Sequence, residues 1–598
     1  MGTAGGSTSA PGTGRGGSRR RGGGHRWGTV AAALAALVAG VVACGGGDDG
    51  PGSGDASAAA RPTAEWVRLG YDLANTRAAV GETVIGPGTV ADLRPAWELD
   101  GVKGVTGTPV VAGGEVYVGD WTGHLRALDA GTGDERWAHD LGGGYVGGAV
   151  ALDDDVVVVG TFDARLVAVD RATGEPVWEV SVDDHPKAVV FGSPVLVDGL
   201  VVVGVGSFEV FAPGDPPTFR GQVVAVDAAT GDEAWRFTVT AGDETEGPGV
   251  SVWSSPAVDT DRGVLYIGTG QAYAPPAPPR SDALLALDLR TGREVWSTQF
   301  TAGDAWTIAD PTGLDADVGA APNLFTAGGT DAVGVGDKAG TYRALDRDTG
   351  EVLWEHRITE GGLQGGVMAS AAVAGGTVFV TSNEASRDAV LAALDADTGD
   401  ELWRVDVGAH VTGPVTWAND VLYVADDSGR IAAYDADGGG RLWSHAVPFP
   451  AAGGIAVVDG TVYAGWGWWL ASEPDDADGG LIAFRVGGGD EGGEAGEAGA
   501  AGPEGDDQAA GGPTGGGDGD DGTGREVYQR SCASCHGSDG AGASGPSLLG
   551  VDERLTRAEQ VDVVREGRRG MPGWEGALTD EQIEAVVDHT RTALRAGG

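Results

Sequence analysis

The 598-residue chain is poor in cysteine and methionine (three of each), and its 39 lysines and arginines face 88 aspartates and glutamates, a formal net charge of −49. Three cysteines exclude a disulfide framework. The shortage of cations argues against nucleic acid as a partner, because phosphate would be repelled. An acidic surface also keeps a protein soluble, which accounts for much of the charge without a special role. Apolar runs are short: the most conspicuous, "GTVAAALAALVAGVVAC", falls below the roughly 20 residues of a membrane span. What is plentiful is glycine (109 residues) and tryptophan (18), a mixture that points to many turns with recurring aromatic anchors. A chain of this length exceeds one ordinary core, so more than one domain is expected.

With so few cysteines, each needs its own account. Cys44 ends the apolar run, which follows Arg19, Arg20 and Arg21. A basic head, a short apolar segment and a small residue before the cut describe an export signal. Val41-Val42-Ala43-Cys44 resembles a bacterial lipobox, with Cys44 as the lipidated first residue; a retained membrane helix is the alternative. The expectation is an exported cell-envelope lipoprotein, held by its lipid at the outer side of the cytoplasmic membrane. The arginine cluster leaves Sec and twin-arginine export both open.

Composition then divides the chain. Residues 1–44 form the signal peptide and 45–62 a flexible tether of Gly, Asp, Ser, Ala and Pro. Residues 487–524 are Gly-rich and acidic, with no base and no bulky apolar residue, and read as a linker that cannot bury enough surface to fold. Between them lies one large region, 63–486, and after them a small one, 525–598.

The large region repeats itself. Seven segments share one pattern, from "ALDAGTGDERW" ending at Trp137 through Trp178, Trp235, Trp296, Trp354 and Trp403 to "AYDADGGGRLW" ending at Trp443. Each has an apolar strand, an Asp and a Gly in a turn, and a strand carrying Trp; Asp bonds the turn backbone and Gly supplies a positive φ. With β-branched runs before each, the unit is a four-stranded antiparallel sheet at propeller-blade spacing. An eighth copy is split. "TVYAGWG…LIAFR" lacks a Trp strand, and "ADLRPAWELD" offers one at Trp97 with nothing before it. Joining them predicts an all-β, eight-bladed propeller whose closure removes sheet edges.

This repeat is the tryptophan docking motif of pyrroloquinoline quinone (PQQ) propellers. Through "PTFRGQVVAVDAATGDEAW", "SVWSSPAVDTDRGVLYIGTG" and "GDKAGTYRALD" the region resembles quinohaemoprotein alcohol dehydrogenases, above all the polyvinyl-alcohol dehydrogenase branch. Scaffold propellers of outer-membrane assembly proteins share the docking motif itself. The resemblance implies Trp253 as the ring on which PQQ stacks and Lys338 as the cation against the quinone oxygens. It implies Glu209 as a carboxylate on PQQ-bound Ca²⁺, and Arg220 as either a carboxylate clamp or a loop brace. Gln271 stands where methanol-type enzymes carry a Ca²⁺-binding Asn, and Thr307 stands where they carry the catalytic Asp. Threonine is no general base unaided; Asp304 and Asp310 are the nearby carboxylates that could replace it. Long excursions over 205–221, 271–281 and 304–333 enlarge one face, where such a site would be built.

The other two cysteines lie in "SCASCHGSDG" (residues 531–540). Cys532 and Cys535 have the spacing that forms haem thioethers, and His536 follows at once as the proximal iron ligand. Met571 in "RRGMPGW" resembles the axial-ligand loop of class I cytochromes c. "TDEQIEAVVDHTRTALRA" carries a capping box, Thr579 with Gln582, and apolar residues at helical spacing. Residues 525–598 are thus expected to be a small all-α cytochrome c domain with covalent haem c.

Together these features imply an alcohol substrate oxidised at PQQ, with electrons passing to the chain's own haem and then to another cytochrome or an oxidase. The alternatives are a non-catalytic binding or scaffold propeller fused to an electron carrier, and a quinoprotein for sugars or aldehydes.

Overall fold

The computed structural model describes residues 65–211, 216–240, 246–362, 365–385, 388–467 and 479–487, together with parts of 524–592. Eight antiparallel sheets account for the first of these regions, seven with four strands and one with a short fifth. The blade ending at Trp137's strand is typical: Val110–Ala112, Glu115–Gly119, His124–Asp129 and Glu135–Asp140, paired in sequence order. The split blade is present as expected. Its outermost strand is Leu93–Leu99, which pairs antiparallel with Gly480–Val486 and so ties the start of the ring to its end.

Each tryptophan joins its blade to the next. The indole Nε1 of Trp97 donates to the Ala130 carbonyl (3.1 Å), Trp137 to Arg171 (3.0 Å), Trp178 to Ala228 (2.9 Å) and Trp235 to Leu289 (3.0 Å). Trp296, Trp354 and Trp403 continue the series, and Trp443 closes it onto the Leu93 carbonyl (3.3 Å). The turn glycine of the receiving blade lies flat under the ring. At Gly133 (φ +78°) an added Cβ would stand 2.6 Å from the Trp97 ring, so only glycine both adopts the conformation and leaves the space. Asp129 braces that turn by accepting from Gly131 and Thr132 N–H, both at 2.9 Å.

Antiparallel order gives the ring two ends. The tight turns between first and second strands and between third and fourth strands lie at one end. The loops between second and third strands, and the crossings between blades, lie at the other. At the turn end, residues 66–92 run across the inner strands: Trp66 pairs with Val111, Val258 N–H donates to the Leu73 carbonyl and Leu324 N–H to that of Ala74. The buried Arg77 guanidinium binds the Leu69 and Val415 carbonyls, and Asn75 bridges the carbonyls of Pro256 and Pro322. All three excursions lie at the loop end. The third is shorter than expected: Asn323–Ala327 is already the inner strand of its blade, because Gly328-Gly329 makes a tight turn inside a stretch that reads as one long loop.

In the C-terminal region the described helices are Val551–Arg554, Arg557–Glu566 and Asp580–Thr592. The capping box is reciprocal: Gln582 N–H donates to Thr579 Oγ1 (3.2 Å), and Thr579 N–H to Gln582 Oε1 (2.9 Å). Ile583, Val586 and Val587 bury against Tyr528, Val561, Val564 and Cys532. Among the described residues no helix is long and apolar enough to cross a membrane. Cys44, Cys535 and Met571 lie outside the described residues.

Candidate functional site

Trp253, Lys338, Glu209, Arg220, Gln271, Asp304, Thr307 and Asp310 all belong to the loop end. The innermost strand of each blade starts there, and Trp253 directly precedes one of them, Ala257–Asp259. Its ring rests on Gly319, where an added Cβ would fall 1.7 Å from the indole. Gly206 approaches the Trp253 Cβ from another blade, at 3.7 Å from its own ideal Cβ. The tryptophan is thus held by backbone, and part of it stays accessible.

Lys338 is buried, and its ammonium bonds Asp315 Oδ1 at 2.6 Å and lies 3.5 Å from Asp317 Oδ2. Burial alone would lower its pKa, but the two carboxylates raise it, so the lysine is a fixed cation. Asp317 also accepts from Gln271 N–H at 2.7 Å, and the Gln271 side-chain amide lies against the same carboxylate, which is satisfied when the amide nitrogen faces it. Asp315 has φ +56°, and its Oδ2 has no partner. Burial pushes its carboxyl up to about 6, against the pull of Lys338 and helped by Asp317. Asp282 is fully buried, and neither carboxylate oxygen meets a well-aligned donor among the described residues; burial, then Asp317 and Asp304, hold its pKa well above the ordinary range against the pull of the neighbouring Ser281.

Other candidates are engaged in bracing loops. Asp304 is buried, and its two oxygens accept from Leu314 N–H (2.7 Å) and Ala316 N–H (2.9 Å). Asp310 is exposed and accepts from Thr312 Oγ1 at 2.8 Å, while the buried Thr307 accepts from Asp310 N–H at 3.2 Å. Glu209 Oε2 accepts from Thr218 N–H (3.0 Å) and Phe219 N–H (2.8 Å), leaving Oε1 at 3.9 Å from His185 Nε2. Arg220 donates to Thr240 Oγ1 at 2.7 Å, a loop-bracing contact.

The structure therefore brings Trp253, Gln271 and Lys338 together and adds two acids that sequence reasoning passed over, Asp315 and Asp317. Their signal was "DAD": an i, i+2 spacing puts two carboxylates on one side of an extended segment. In the C-terminal region Cys532 and His536 are both buried, in keeping with a prosthetic group shielded from water.

A flat, tri-acidic quinone can be tested against these groups. The ring backed by Gly319 offers a stacking face and Lys338 a cation, so the cradle fits. The buried acids outnumber the buried cations, and the open oxygens of Asp315 and Asp282 have no donor. A further anion would be tolerated there only with a divalent cation beside it. Among the described residues no three acidic, histidine or cysteine side chains converge into a ready metal cage.

Residues 66–363 match the family model for the glucose, ethanol and alcohol dehydrogenase β-propeller domain, the PQQ class. Residues 338–507 match that of the outer membrane protein assembly factor BamB, and residues 519–589 that of the cbb3-type cytochrome c oxidase subunit III. Residues 66–363 are thus similar to the propeller domain of PQQ dehydrogenases, and residues 519–589 to a cytochrome c domain.

Among individual proteins, the polyvinylalcohol dehydrogenase of Pseudomonas sp. is 30% identical over 360 residues, 53% of this chain and 54% of the relative. The quinohemoprotein alcohol dehydrogenase of Comamonas testosteroni is 30% identical over 295 residues, 42% of this chain and 40% of the relative. The chain thus aligns with about half the length of the curated relatives it matches. The Comamonas crystal structure superposes with a TM-score of 0.65 at 22% identity, over 89% of this chain and 96% of that one, which shows a shared fold.

Proposed function

We propose that the protein oxidises an alcohol at PQQ bound at the loop end and passes the electrons to haem c held by residues 525–598. The observation that carries this reading is the buried Lys338–Asp315–Asp317 cluster, in the same loops as the Trp253 platform, on a propeller of the PQQ class. Oxidising a carbinol to a carbonyl releases two electrons and two protons, and the bound quinone supplies the two-electron sink. Lys338 would face the quinone oxygens. Trp253 would hold one face of the ring and exclude water from it. Ca²⁺ would sit among Glu209 Oε1, Gln271 and the quinone's own oxygens. Both oxygens of Asp304 accept loop N–H groups and Asp310 lies exposed with one oxygen on Thr312, whereas Asp315 Oδ2, beside Lys338, meets no donor among the described residues and could accept a proton.

Cys532 and Cys535 would carry the haem, with His536 and Met571 as axial ligands. Haem held there would supply a one-electron carrier on the same chain, able to drain the two electrons singly toward another cytochrome or an oxidase. The proposed place is the outer side of the cytoplasmic membrane, with lipid on Cys44, because haem attachment and PQQ loading both suit that side. The match of residues 338–507 to an assembly-factor propeller, together with Thr307 in place of an acid, favours a second reading, a non-catalytic binding ring.

One experiment separates the two. Purified full-length protein is incubated with PQQ and Ca²⁺, alcohols are added, and the haem absorption band is followed. Reduction of the haem supports the oxidase reading. No reduction with any alcohol, together with no PQQ retained after dialysis, would leave the binding ring.

A further inference from the structure

Six aromatic rings form a continuous strip on the loop end of the first three complete blades. Trp121 stacks with Tyr145 (5.8 Å between centroids) and meets Phe162 edge-on (5.0 Å). Phe162 contacts Phe191 (4.7 Å) and Phe208 (5.5 Å), and Phe208 contacts Phe211 (6.4 Å). Tyr145 and Phe211 are 46% and 47% exposed, whereas Trp121 is buried beneath.

The fold does not require rings there, and the repeat supplies its own control. Aligned by strand register, Trp121 and Phe162 occupy the loop position held by Gly206, Gly270, Lys338, Asn383, Asp427 and Gly467 in the other six blades. Two aromatics in eight equivalents reflect a local demand. The same equivalence puts them on the circle that carries Lys338, around the mouth of the site. The strip is also joined to the site covalently. Glu209 follows Phe208, and Gly192, which follows Phe191, packs on the Trp253 backbone. Ile308, in the excursion that carries Asp304 and Asp315, donates its N–H to the Val210 carbonyl at 3.0 Å.

We infer that this strip seats the non-reacting part of the substrate, an aliphatic chain of several carbons that carries the alcohol to be oxidised. Partly exposed rings contiguous with a reaction site offer CH-bearing chains a dry, uncharged track. Binding along a remote track lowers KM for long substrates without touching the reacting carbon. The inference rests on the alcohol-oxidising reading above.

The test is the double variant Tyr145→Ala/Phe211→Ala of the full-length holoprotein, with Val177→Ala on an exposed outer strand as control. KM and kcat are measured for ethanol, octan-1-ol and polyvinyl alcohol oligomers. The double variant should raise KM about tenfold for octan-1-ol and the oligomers, with kcat kept. Ethanol kinetics should stay within about twofold of the parent. Equal changes for short and long substrates, or none, would overturn the strip's role. A second readout needs no turnover: tryptophan fluorescence of quinone-free protein titrated with the oligomers, where the double variant should weaken binding about tenfold. If the parent oxidises no alcohol but binds oligomers in a way the variant loses, the strip stands and the oxidase reading falls. Absence of both oxidation and oligomer binding overturns both.

Discussion

The two ends of the propeller are built from the same blades and obey different rules. At the turn end seven of the eight blades repeat one solution, an Asp-braced turn, a glycine with positive φ and an indole from the neighbour lying on it, the split blade having its two chain ends there instead. At the loop end the register-equivalent positions hold Trp, Phe, Gly, Lys, Asn or Asp, and oxygens of the buried Asp315 and Asp282 meet no well-aligned donor among the described residues. The repeat carries stability at one end and frees the other to depart from it. Consistent local choices are the mark of a foldable scaffold, and local violations the mark of a site.

The most severe way to break this contrast is to remove the buried ammonium of Lys338 at the loop end. Lys338→Met leaves Asp315 and Asp317 buried without their cation, a change of about 3–5 kcal/mol. Thermal unfolding should show that loss, and PQQ should no longer survive dialysis. A mutant of native stability that retains quinone would show that the lysine is dispensable.

Acidity probes the same cluster. The folded-state pKa of Asp315 is about 6, above its ordinary value, so between about pH 4 and 6 the folded state binds more protons than the unfolded one. The stability this proton contributes is present at low pH and lost as pH rises through about 6, by at most about 3 kcal/mol. Denaturant titrations from pH 4 to 7 should show that slope in the parent and a flatter one in Asp315→Asn. Parallel profiles would mean the carboxyl titrates normally.

The turn end should respond with stability alone. An added Cβ at Gly292 would meet the Trp235 ring at 2.3 Å, on a residue with φ +66°. Gly292→Ala should cost about 2 kcal/mol in urea unfolding while quinone retention and KM stay at parental values. A shift in either would show that the two ends communicate.

The smallest expected effect has the opposite sign. Asp282→Asn replaces a buried carboxyl that burial drives toward its protonated form, and quinone-free protein should gain about 1 kcal/mol at about pH 8, where holding that proton costs most. A loss of stability in urea unfolding would reveal an ion or water that the carboxyl serves.

How far sequence reasoning reached follows the same division. The seven "D…TG…W" segments and the split copy at Trp97 led to the ring because each blade solves a local problem with residues close in sequence. The Thr579–Gln582 box was legible for the same reason. The loop end was less so. Asp304 looked like a free base because the amides that occupy it belong to Leu314 and Ala316, in a loop whose closure no local pattern dictates. Asp315 and Asp317 were passed over because their partner, Lys338, lies beyond an entire inner hairpin of the next blade. The aromatic strip needs register across three sheets before Trp121 and Phe208 can be seen to share a surface.

The closing strand has one further consequence. Gly487 N–H donates to the Asp92 carbonyl at 3.1 Å, and Glu65 accepts from Gly113 N–H at 3.1 Å in a first-to-second-strand turn. Both covalent leads of the ring therefore depart from its turn end. A pull along the chain from either end of the ring would be borne by the seam between Leu93–Leu99 and Gly480–Val486.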